Sequence, residues 1–478
     1  MPAASSTGSG SSATELAFRS ALEQAELVRR GEVSSLELVE LYLERIERID
    51  PRLNSFVTLC HEEARAEARA PRPGPFSGVP LPIKDLDEVA DVRTTLSTRA
   101  FADHVPAGDR GVVRRLRAAG FVVLGKTNTP ELGLIPLTHS ALNGICRNPW
   151  DLTRTPGGSS GGAAAAVAAG LAPAAQGSDG GGSIRIPASC CGLVGLKPTR
   201  GRVSPAPYGD VYGLSTAGPL TRTVADAAAI LDAIAGNEPG DPHLCPPPAR
   251  PFLAEAATDP GRLRVALALE PPLGVPLDPA CERAAREAAA LLDELGHEVE
   301  ETEVPWRDDE ALEWFLRLWQ TIPTLYGEPA LAQMEPLARE LGARAYELSS
   351  AEYVQAVVRL QALARRTAGF CARFDAVLTP TLALPPVPVD WLDGVEPLAQ
   401  FERNARFSPY TSIVNVAGLP AVSLPLSSTD DGLPVGVQLI GRAADEATLI
   451  RVSAQLETAR PWRQRLPPAA GFQGAAPG

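Results

Sequence analysis

The chain has 478 residues, of which 45% are apolar and 21% charged, and this composition is typical of a globular protein built as one large α/β domain or two to three smaller ones. Its formal net charge of −13 argues against a nucleic-acid binder, because neutralising phosphates requires clustered lysine and arginine. No apolar run is long enough to span a bilayer, so we expect a cytoplasmic protein that does not bind membranes.

The cysteine and histidine content limits the chemistry further. The seven cysteines are odd in number and scattered, so they predict reduced thiols rather than a disulfide framework. The five histidines show no His-x-x-x-His or Glu-x-x-His spacing, and the glycine-rich loop over 157–162 lacks the Gly-Lys-Ser/Thr end of a phosphate-binding loop. The sequence therefore predicts neither a metal site nor a cofactor.

The first half of the chain predicts helices followed by an α/β sheet. Residues 1–13, rich in Ser, Gly and Ala, predict a disordered tail. Helices are expected over 15–29 and from Ser34, where Ser34 and Glu37 form a capping box. The next predicted elements alternate as in an α/β sheet: a strand over 79–83, a helix over 109–119, a strand over 121–124 and a helix over 162–169. The last helix is apolar on all sides, which predicts that it is buried.

The second half continues the alternation and contains a helical segment. The predicted elements are a helix from 224, a strand over 263–269, a helix over 279–295, strands over 376–379, 421–424 and 435–440, and a helix over 445–456. Residues 308–370 are mostly helical and are interpreted as a cap or insertion. We therefore expect one α/β domain over residues 14–465, followed by a flexible tail over 466–478.

Lys84 stands at the end of the predicted strand 79–83, inside an apolar run, and Asp85 follows it. Two interpretations compete: an ordinary buried lysine paired with a carboxylate, or a base that its surroundings keep neutral. Serines in glycine-rich loops later in the chain favour the base. A serine hydroxyl is a poor nucleophile at neutral pH unless a neighbouring group takes its proton.

Two glycine-rich loops carry the serines. Ser160 lies in a Gly-x-Ser-x-Gly pattern typical of the α/β-hydrolase elbow, but the polar segment before it does not predict the strand that an elbow requires. Ser183 follows three glycines whose N–H groups can point toward one oxyanion. These glycines are Gly180, Gly181 and Gly182. Asp179 and Arg185 flank the loop and are interpreted as a structural ion pair that braces it.

Four segments together resemble the amidase signature family. They are Lys84 with its apolar run, the loop over 157–162, the block over 177–187 and the run over 191–201. The resemblance covers residues 15–465 and implies one large α/β domain whose central mixed β-sheet is covered by helices on both sides. Segments over 125–131, 147–150 and 420–425 also resemble the branch that contains nylon-oligomer hydrolases and urethane-cleaving amidases.

The resemblance also implies roles for three side chains. Ser183 is implied to be the nucleophile, Ser159 the bridging serine held by a cis peptide bond, and Lys84 the base, so that Ser160 is a bystander. The oxyanion would be held by the backbone amides of Gly180, Gly181, Gly182 and Ser183. The chain departs from the family pattern at Gly180, where threonine or a branched apolar residue is usual. We therefore expect a looser loop there.

Apolar residues near these loops predict an uncharged substrate. Leu134 and Ile135 in a loop, and Trp314 and Trp319 in the helical segment, are candidate pocket residues whose alternative role is core packing. We therefore predict hydrolysis by water of amide bonds, and of carbamate or ester bonds, in small hydrophobic or aryl substrates. The expected enzyme is a monomer or homodimer that uses no cofactor.

Three other interpretations stay open at this point. The A-type component of the glutamyl-tRNA amidotransferase carries the same motifs and works with partner subunits. An α/β-hydrolase would use Ser160 as its nucleophile. A protein that kept the fold without the chemistry would be a scaffold, which the three intact side chains at 84, 159 and 183 disfavour.

Overall fold

The computed structural model describes residues 8–308 and 310–470. The helices in this part of the chain are α1 Gly8–Ala17, α2 Ala21–Arg29, α3 Ser35–Leu53, α4 His61–Arg69, α5 Gly111–Ala118, α6 Gly161–Ala168, α7 Arg185–Cys191, α8 Val224–Ile234, α9 Phe252–Glu255, α10 Pro279–Glu294, α11 Ala311–Trp319, α12 Glu328–Leu331, α13 Pro336–Glu347, α14 Ser350–Cys371, α15 Pro397–Phe407, α16 Ser412–Ala417 and α17 Glu446–Ala459. The strands are β1 Phe56–Leu59, β2 Pro80–Lys84, β3 Val122–Thr127, β4 His139–Ser140, β5 Gly144–Ile145, β6 Ala174–Asp179, β7 Val194–Lys197, β8 Thr216–Thr221, β9 Arg264–Leu267, β10 Glu298–Glu301, β11 Ala376–Pro380, β12 Ala421–Ser428 and β13 Pro434–Gly441.

The centre of the fold is an eight-stranded mixed sheet. Its strand order is β10-β9-β11-β13-β12-β7-β8-β6. The first three strands are parallel to one another, and each later neighbour pairs antiparallel. A smaller sheet of order β1-β3-β2 lies beside it, with β2 in contact with the edge strand β6. The ends of β2 and β6 therefore meet.

Helices cover both faces of the central sheet. Because side chains alternate along a strand, Ala376 and Leu378 of β11 pack with helices α8, α10 and α17, whereas Val377 packs on the opposite face. That opposite face is covered by α6, α7, α14 and α16. Every residue of α6 is buried, as its uniformly apolar sequence predicts. The predicted α/β class, with a mixed sheet between two layers of helices, is confirmed.

Several elements near the site were not predicted from local sequence. Strands β6, β7 and β8 are rich in Gly, Ala and Pro and lack the β-branched and aromatic runs that signal a strand. They are strands because they pair with each other and with β12 in the interior of the fold. Helix α15 lies in a segment that was predicted to be neither helix nor strand.

The two ends of the chain differ from the prediction. The helix expected over 15–29 is interrupted, since Ser20 and Glu23 form a capping box that starts α2 anew. Residues 8–13 belong to α1 rather than to a tail, and residues 1–7 lie outside the described part. At the other end, Ala469 and Ala470 are buried, and Arg45 donates to the carbonyl of Ala470 at 3.2 Å. Residues 471–478 are also outside the described part.

The segment over 308–370 is helical where it is described. It contains α11, α12, α13 and most of α14, and α11 packs against α14. Within residues 8–308 and 310–470, no helix is both long and apolar enough to cross a membrane.

Candidate active site

Lys84 lies at the carboxyl end of β2, where its side-chain amino group contacts Ser159 and Ser178. Its Nζ donates to Ser159 Oγ at 2.7 Å, to Ser178 Oγ at 3.2 Å and to the carbonyl of Ser178 at 3.3 Å. Its backbone N–H donates to Gln176 Oε1 at 3.0 Å. The side chain is fully buried. Strand β2 and the neighbouring strand β6 therefore fix both the backbone and the head group of this lysine.

The carboxylates near Lys84 are held by other cations. Asp85, the next residue in the chain, forms an ion pair with the buried Lys126 at 3.3 Å. Asp87 accepts from Gln176 at 2.7 Å and pairs with Arg110 at 3.3 Å. Among the described residues no carboxylate lies within 4.0 Å of Lys84 Nζ. The alternative that Lys84 is an ordinary lysine in an ion pair with Asp85 is therefore not what the structure shows, and its role as a base stays a prediction.

Burial shifts the protonation of Lys84. Removal of the ammonium from water lowers the pKa of Lys84 to about 7, and the more distant carboxylates of Asp87 and Asp179 only partly oppose this effect. A lysine with this pKa is substantially neutral near pH 7. A neutral amine can accept a proton, whereas an ordinary surface lysine cannot at this pH.

Ser159 lies immediately before α6 and follows a cis peptide bond from Gly158, as the family resemblance implied. Gly133 has a φ of +69°, and a Cβ built on it would lie 2.7 Å from Leu86 Cδ1 and 3.1 Å from Ser159 Oγ, so both the backbone and the close approach favour glycine beside this hydroxyl. The backbone N–H of Ser160 donates to the carbonyl of Ser183 at 3.1 Å. The two serine loops therefore lie against each other, with Lys84 at the base of the first.

Ser183 occupies the turn between β6 and α7 and lines a cavity. The turn is braced by Asp179 and Arg185, both fully buried, whose closest contact is 2.9 Å. Arg185 also donates to Gln438 and to Asn415, each at 2.6 Å. Burial alone would raise the pKa of Asp179, but Arg185 holds it well below its usual range. The interpretation of these residues as a structural ion pair agrees with this geometry.

The amides of the loop divide into two groups. Gly182 N–H donates to Asp179 Oδ1 at 2.8 Å, so this amide points away from the cavity and toward the brace. Among the described residues, the amides of Gly180, Gly181 and Ser183 have no acceptor. Gly182 is therefore removed from the four predicted oxyanion donors, because its N–H group is bonded to the carboxylate, and the role of the other three amides stays a prediction. Gly180 packs against Trp319, with 3.2 Å between a built Cβ and that ring.

Ser160 is not placed as a nucleophile. It is fully buried, its Oγ donates to the carbonyl of Ser178 at 3.2 Å, and it does not line the cavity. No strand precedes it, since residues 155–160 are irregular. Helix α6 follows Ser160, but the strand that an α/β-hydrolase elbow requires before its serine is missing at this position.

The cavity in front of Ser183 has apolar sides. Leu134 and Ile135 line it, and Trp319 lines it from α11 while its Nε1 donates to the carbonyl of Leu134 at 3.1 Å. The prediction that Trp314 lines the pocket is wrong, because this residue points to another face of α11, where its ring lies 4.6 Å from the Arg317 guanidinium. The space between the lining residues that no atom fills is about 570 Å³, and part of it is open to solvent.

Two sets of residues summarise the site. The polar floor consists of Lys84, Ser159, Ser178, Asp179, Ser183 and Arg185, and Ser183 is the member that lines the cavity. The apolar wall consists of residues on α11 and α15 that line the cavity: Leu312, Phe315, Trp319, Phe401 and Asn404. The ring centroids of Phe315 and Trp319 are 5.1 Å apart and those of Phe315 and Phe401 are 6.4 Å apart, so the two helices form one continuous surface.

Sequence reasoning missed several residues of this site. Gln176 and Ser178 are two apart on β6 and both contact Lys84, but this alternation was hidden because the residues of β6 give no strand signal. Phe401 and Asn404 are spaced as one face of a helix, but nothing in the sequence says that this face meets Ser183. No cluster of three or more His, Cys, Asp or Glu side chains suited to a metal ion occurs in the described ranges.

The family of the chain follows from comparison with known proteins. A family model described as Amidase matches residues 37–450, so the chain belongs to the amidase signature family, and it is an amide-hydrolysing enzyme. The scaffold and α/β-hydrolase interpretations are thereby set aside.

Individual relatives span almost the whole chain. A putative amidase, AmiB2, of Mycobacterium tuberculosis is 42% identical over 473 residues, covering 95% of this chain and 99% of its own. A solved 6-aminohexanoate cyclic dimer hydrolase complexed with substrate is 36% identical with a TM-score of 0.91, covering 95% of this chain and 100% of its own. The A-type component of the glutamyl-tRNA(Gln) amidotransferase of Moorella thermoacetica is 38% identical over 496 residues, covering 95% and 99%. The predicted likeness to nylon-oligomer hydrolases is confirmed.

Proposed function

We propose that the enzyme cleaves amide bonds of small uncharged substrates through an acyl-enzyme on Ser183, with Ser159 as proton relay and Lys84 as base. The observation that carries this proposal is the 2.7 Å contact between Lys84 Nζ and Ser159 Oγ, in a buried setting that lowers the pKa of Lys84 to about 7. A base with a pKa near the working pH is the most effective, because it is both available and able to accept the proton.

The proposed reaction has two halves that use the same groups. In the first, Ser159 passes its proton to Lys84 and takes one from Ser183, whose oxygen attacks the carbonyl carbon. The amides of Gly180, Gly181 and Ser183 hold the resulting oxyanion. The carbon–nitrogen bond then breaks as the relay returns a proton to the departing amine. In the second half water is deprotonated by the same relay, attacks the acyl group and releases the carboxylic acid, while Ser183 regains its proton.

The cavity favours an uncharged substrate. Among the described residues that line it, none carries a charge, and the polar ones are serines and Asn404. A zwitterion such as glutamine would lose the hydration of its two charges there without gaining a partner. A hydrophobic or aryl amide would instead bury apolar surface against Phe315, Trp319 and Phe401. Carbamates and esters present the same carbonyl, and we include them in the proposed substrate class.

The amidotransferase component is the second candidate, since one relative carries that name. The uncharged cavity argues against it, because a glutaminase has to bind the charged backbone groups of glutamine. The test is to purify the chain alone and to compare hydrolysis of a hydrophobic p-nitroanilide with that of glutamine. We expect p-nitroaniline release and no ammonia from glutamine. The opposite pattern would assign the chain to the amidotransferase group.

The nucleophile is tested by covalent labelling. A fluorophosphonate reacts with an activated serine, so we expect a single adduct on Ser183, mapped by mass spectrometry of the digested protein. Ser183→Ala should lose both the adduct and the turnover of the p-nitroanilide. Ser160→Ala is the matched control from the neighbouring loop. It should keep both the adduct and the turnover, because the hydrogen bonds of Ser160 Oγ within the described residues are to the backbone of Ser178 alone. Labelling of Ser160 instead would refute the proposed roles.

We further propose a cytoplasmic location and a monomer or homodimer. All seven cysteines are free and buried, which is compatible with a reducing compartment. Their pKa values are raised by burial, most clearly for Cys146 and Cys191, so these thiols are poor nucleophiles and ordinary core residues. Fractionation of the native source and sedimentation of the purified chain test the two points separately.

A further inference from the structure

The apolar wall contains one polar side chain without a partner. Asn404 on α15 is 4% exposed, and neither its Oδ1 nor its Nδ2 has a hydrogen-bond partner among the described residues. It lines the same cavity as Ser183. Leaving a buried amide unpaired costs about 1–3 kcal/mol, whereas leucine would fill a similar volume without that cost. A polar group kept at such a position, facing a binding cavity, indicates a ligand that pairs with it.

The carboxamide makes no hydrogen bond to the reacting loop within the described residues. Ser412, at the start of α16, is beside that loop, since a Cβ built on Gly181 would be 4.0 Å from its Cβ. Ser408 lies further along the wall, and its backbone N–H donates to the carbonyl of Asn404 at 3.2 Å. Asn404 therefore precedes Ser408 by one helical turn, in the last turn of α15. All three residues line the cavity, and the amides proposed to hold the carbonyl under attack belong to residues 180–183, so we expect Asn404 to meet a different part of the substrate.

The chemistry of a carboxamide defines its complement. It offers N–H donors and a carbonyl acceptor in one plane, and both ends are unpaired here. A ketone, ether or hydrocarbon would leave at least one end of the carboxamide unsatisfied. An amide or a carbamate can satisfy both ends, because its N–H group donates to the Asn404 oxygen and its carbonyl accepts from the Asn404 nitrogen. Asn404 is only 4% exposed, and Phe315 and Phe401 line the same cavity.

We propose that Asn404 is a specificity-determining residue that binds a second amide or carbamate group of the substrate, apart from the bond that is cleaved. This inference rests on the proposed function of Ser183. It narrows the substrate class from hydrophobic amides in general to molecules with at least two such groups joined by an apolar spacer.

The test compares paired p-nitroanilides. In one series an amide in the acyl chain is moved one bond at a time, and in the matched series two methylenes replace that amide. We expect one amide position to give the highest kcat/KM in the wild type. Asn404→Leu should lower kcat/KM for that substrate by about tenfold, the value of one or two hydrogen bonds, and leave the methylene substrate unchanged or improved. Because it removes an unpaired buried amide, it should not lower the melting temperature.

Two controls separate the possible failures. Phe401→Leu alters the same helix face without a hydrogen bond, so it should reduce kcat/KM for both members of the pair by a similar factor. Equal losses on both substrates in Asn404→Leu, or a lower melting temperature with an unchanged ratio, would overturn the inference and leave a structural role for Asn404. If the wild type cleaves neither substrate and Ser183 is not labelled, the proposed function itself fails.

Discussion

The polar floor and the apolar wall meet at one cavity and are built in opposite ways. In the floor every charged group is fixed by several hydrogen bonds, as Arg185 is by Asp179, Gln438 and Asn415. In the wall the contacts are mostly between aromatic rings. The hydrogen bond from Trp319 Nε1 to the carbonyl of Leu134 connects the wall to the loop on the opposite side of the cavity. Electrostatic chemistry needs fixed groups, whereas apolar contact tolerates adjustment.

The difference also appears in the elements that carry each region. The floor lies where β2 and β6 end and where α6 and α7 begin, inside the central layers of the fold. The wall lies on α11 and α15, which cover that core from outside. Changes in the floor should therefore affect all substrates alike, and changes in the wall should affect substrates selectively. The predictions below test this division.

The largest effect is expected for Lys84→Met. Without the base we expect kcat/KM to fall by about 10³ to 10⁴-fold for every substrate, which is the upper range for general base catalysis. Lys197→Met is the matched control: this lysine is also buried, burial likewise lowers its pKa to about 7, and its Nζ donates to the carbonyl of Pro198 rather than to a serine. Steady-state kinetics on two unlike amides should show loss only for Lys84→Met. A loss confined to one amide would break the division between floor and wall.

The next largest effect concerns the brace of the loop. Asp179→Asn leaves the buried Arg185 without its carboxylate, so we expect the free energy of unfolding to fall by about 3–5 kcal/mol. Glu301→Gln is the control, because it breaks an ion pair of similar length, 2.8 Å to Arg286, in which both side chains are about half exposed. That change should cost about 1 kcal/mol or less. Denaturant unfolding measures the loss of stability in both variants. Similar losses would mean that the buried ion pair of the floor stabilises the protein no more than an ion pair on the surface does.

The floor could be predicted from the sequence further than the wall. Lys84 and Ser183 stand out because a lysine in an apolar run and a serine after three glycines are unusual locally, and strand β2 was expected within one residue of its position. Their partners were harder to predict. The position of Ser178 depends on β6, whose small and polar residues give no strand signal, and β6 is a strand because it pairs with β8.

Trp319 was among the predicted pocket residues, but the rest of the wall could not be predicted because its signals are not local. Trp314 and Phe315 are adjacent apolar residues of α11, and only the docking of that helix decides that Phe315 lines the cavity while Trp314 lies under Arg317. Asn404 in isolation is an ordinary polar residue of a helix. Its burial and lack of partners depend on residues far away in the chain, such as Phe315.

A smaller effect is expected where the floor and wall are joined. Glu131 begins the loop that carries Gly133 and Leu134, and burial raises its pKa from an ordinary 4.5 to about 7. Between these values the folded protein keeps a proton that the unfolded chain releases, so stability decreases as pH rises from about 4.5 to 7. Glu131→Gln should remove this loss and raise the free energy of unfolding at pH 8 by up to about 3 kcal/mol, at about 1.36 kcal/mol per pKa unit. Unfolding at pH 5 and pH 8 measures the difference, and an equal gain at both would contradict the assignment.

The last prediction is a pH dependence of kcat/KM that the floor alone should set. Because neutral Lys84 is the active form, kcat/KM should rise about tenfold per pH unit below a midpoint near 7 and level off above it. The midpoint should be the same for an amide-bearing and a purely alkyl substrate, since both use the same base. Glu131 titrates in the same range, so the profile is measured again in Glu131→Gln, where the midpoint should not move. A midpoint that shifts with the substrate would show that groups of the wall contribute to proton transfer, because only the wall distinguishes the two substrates.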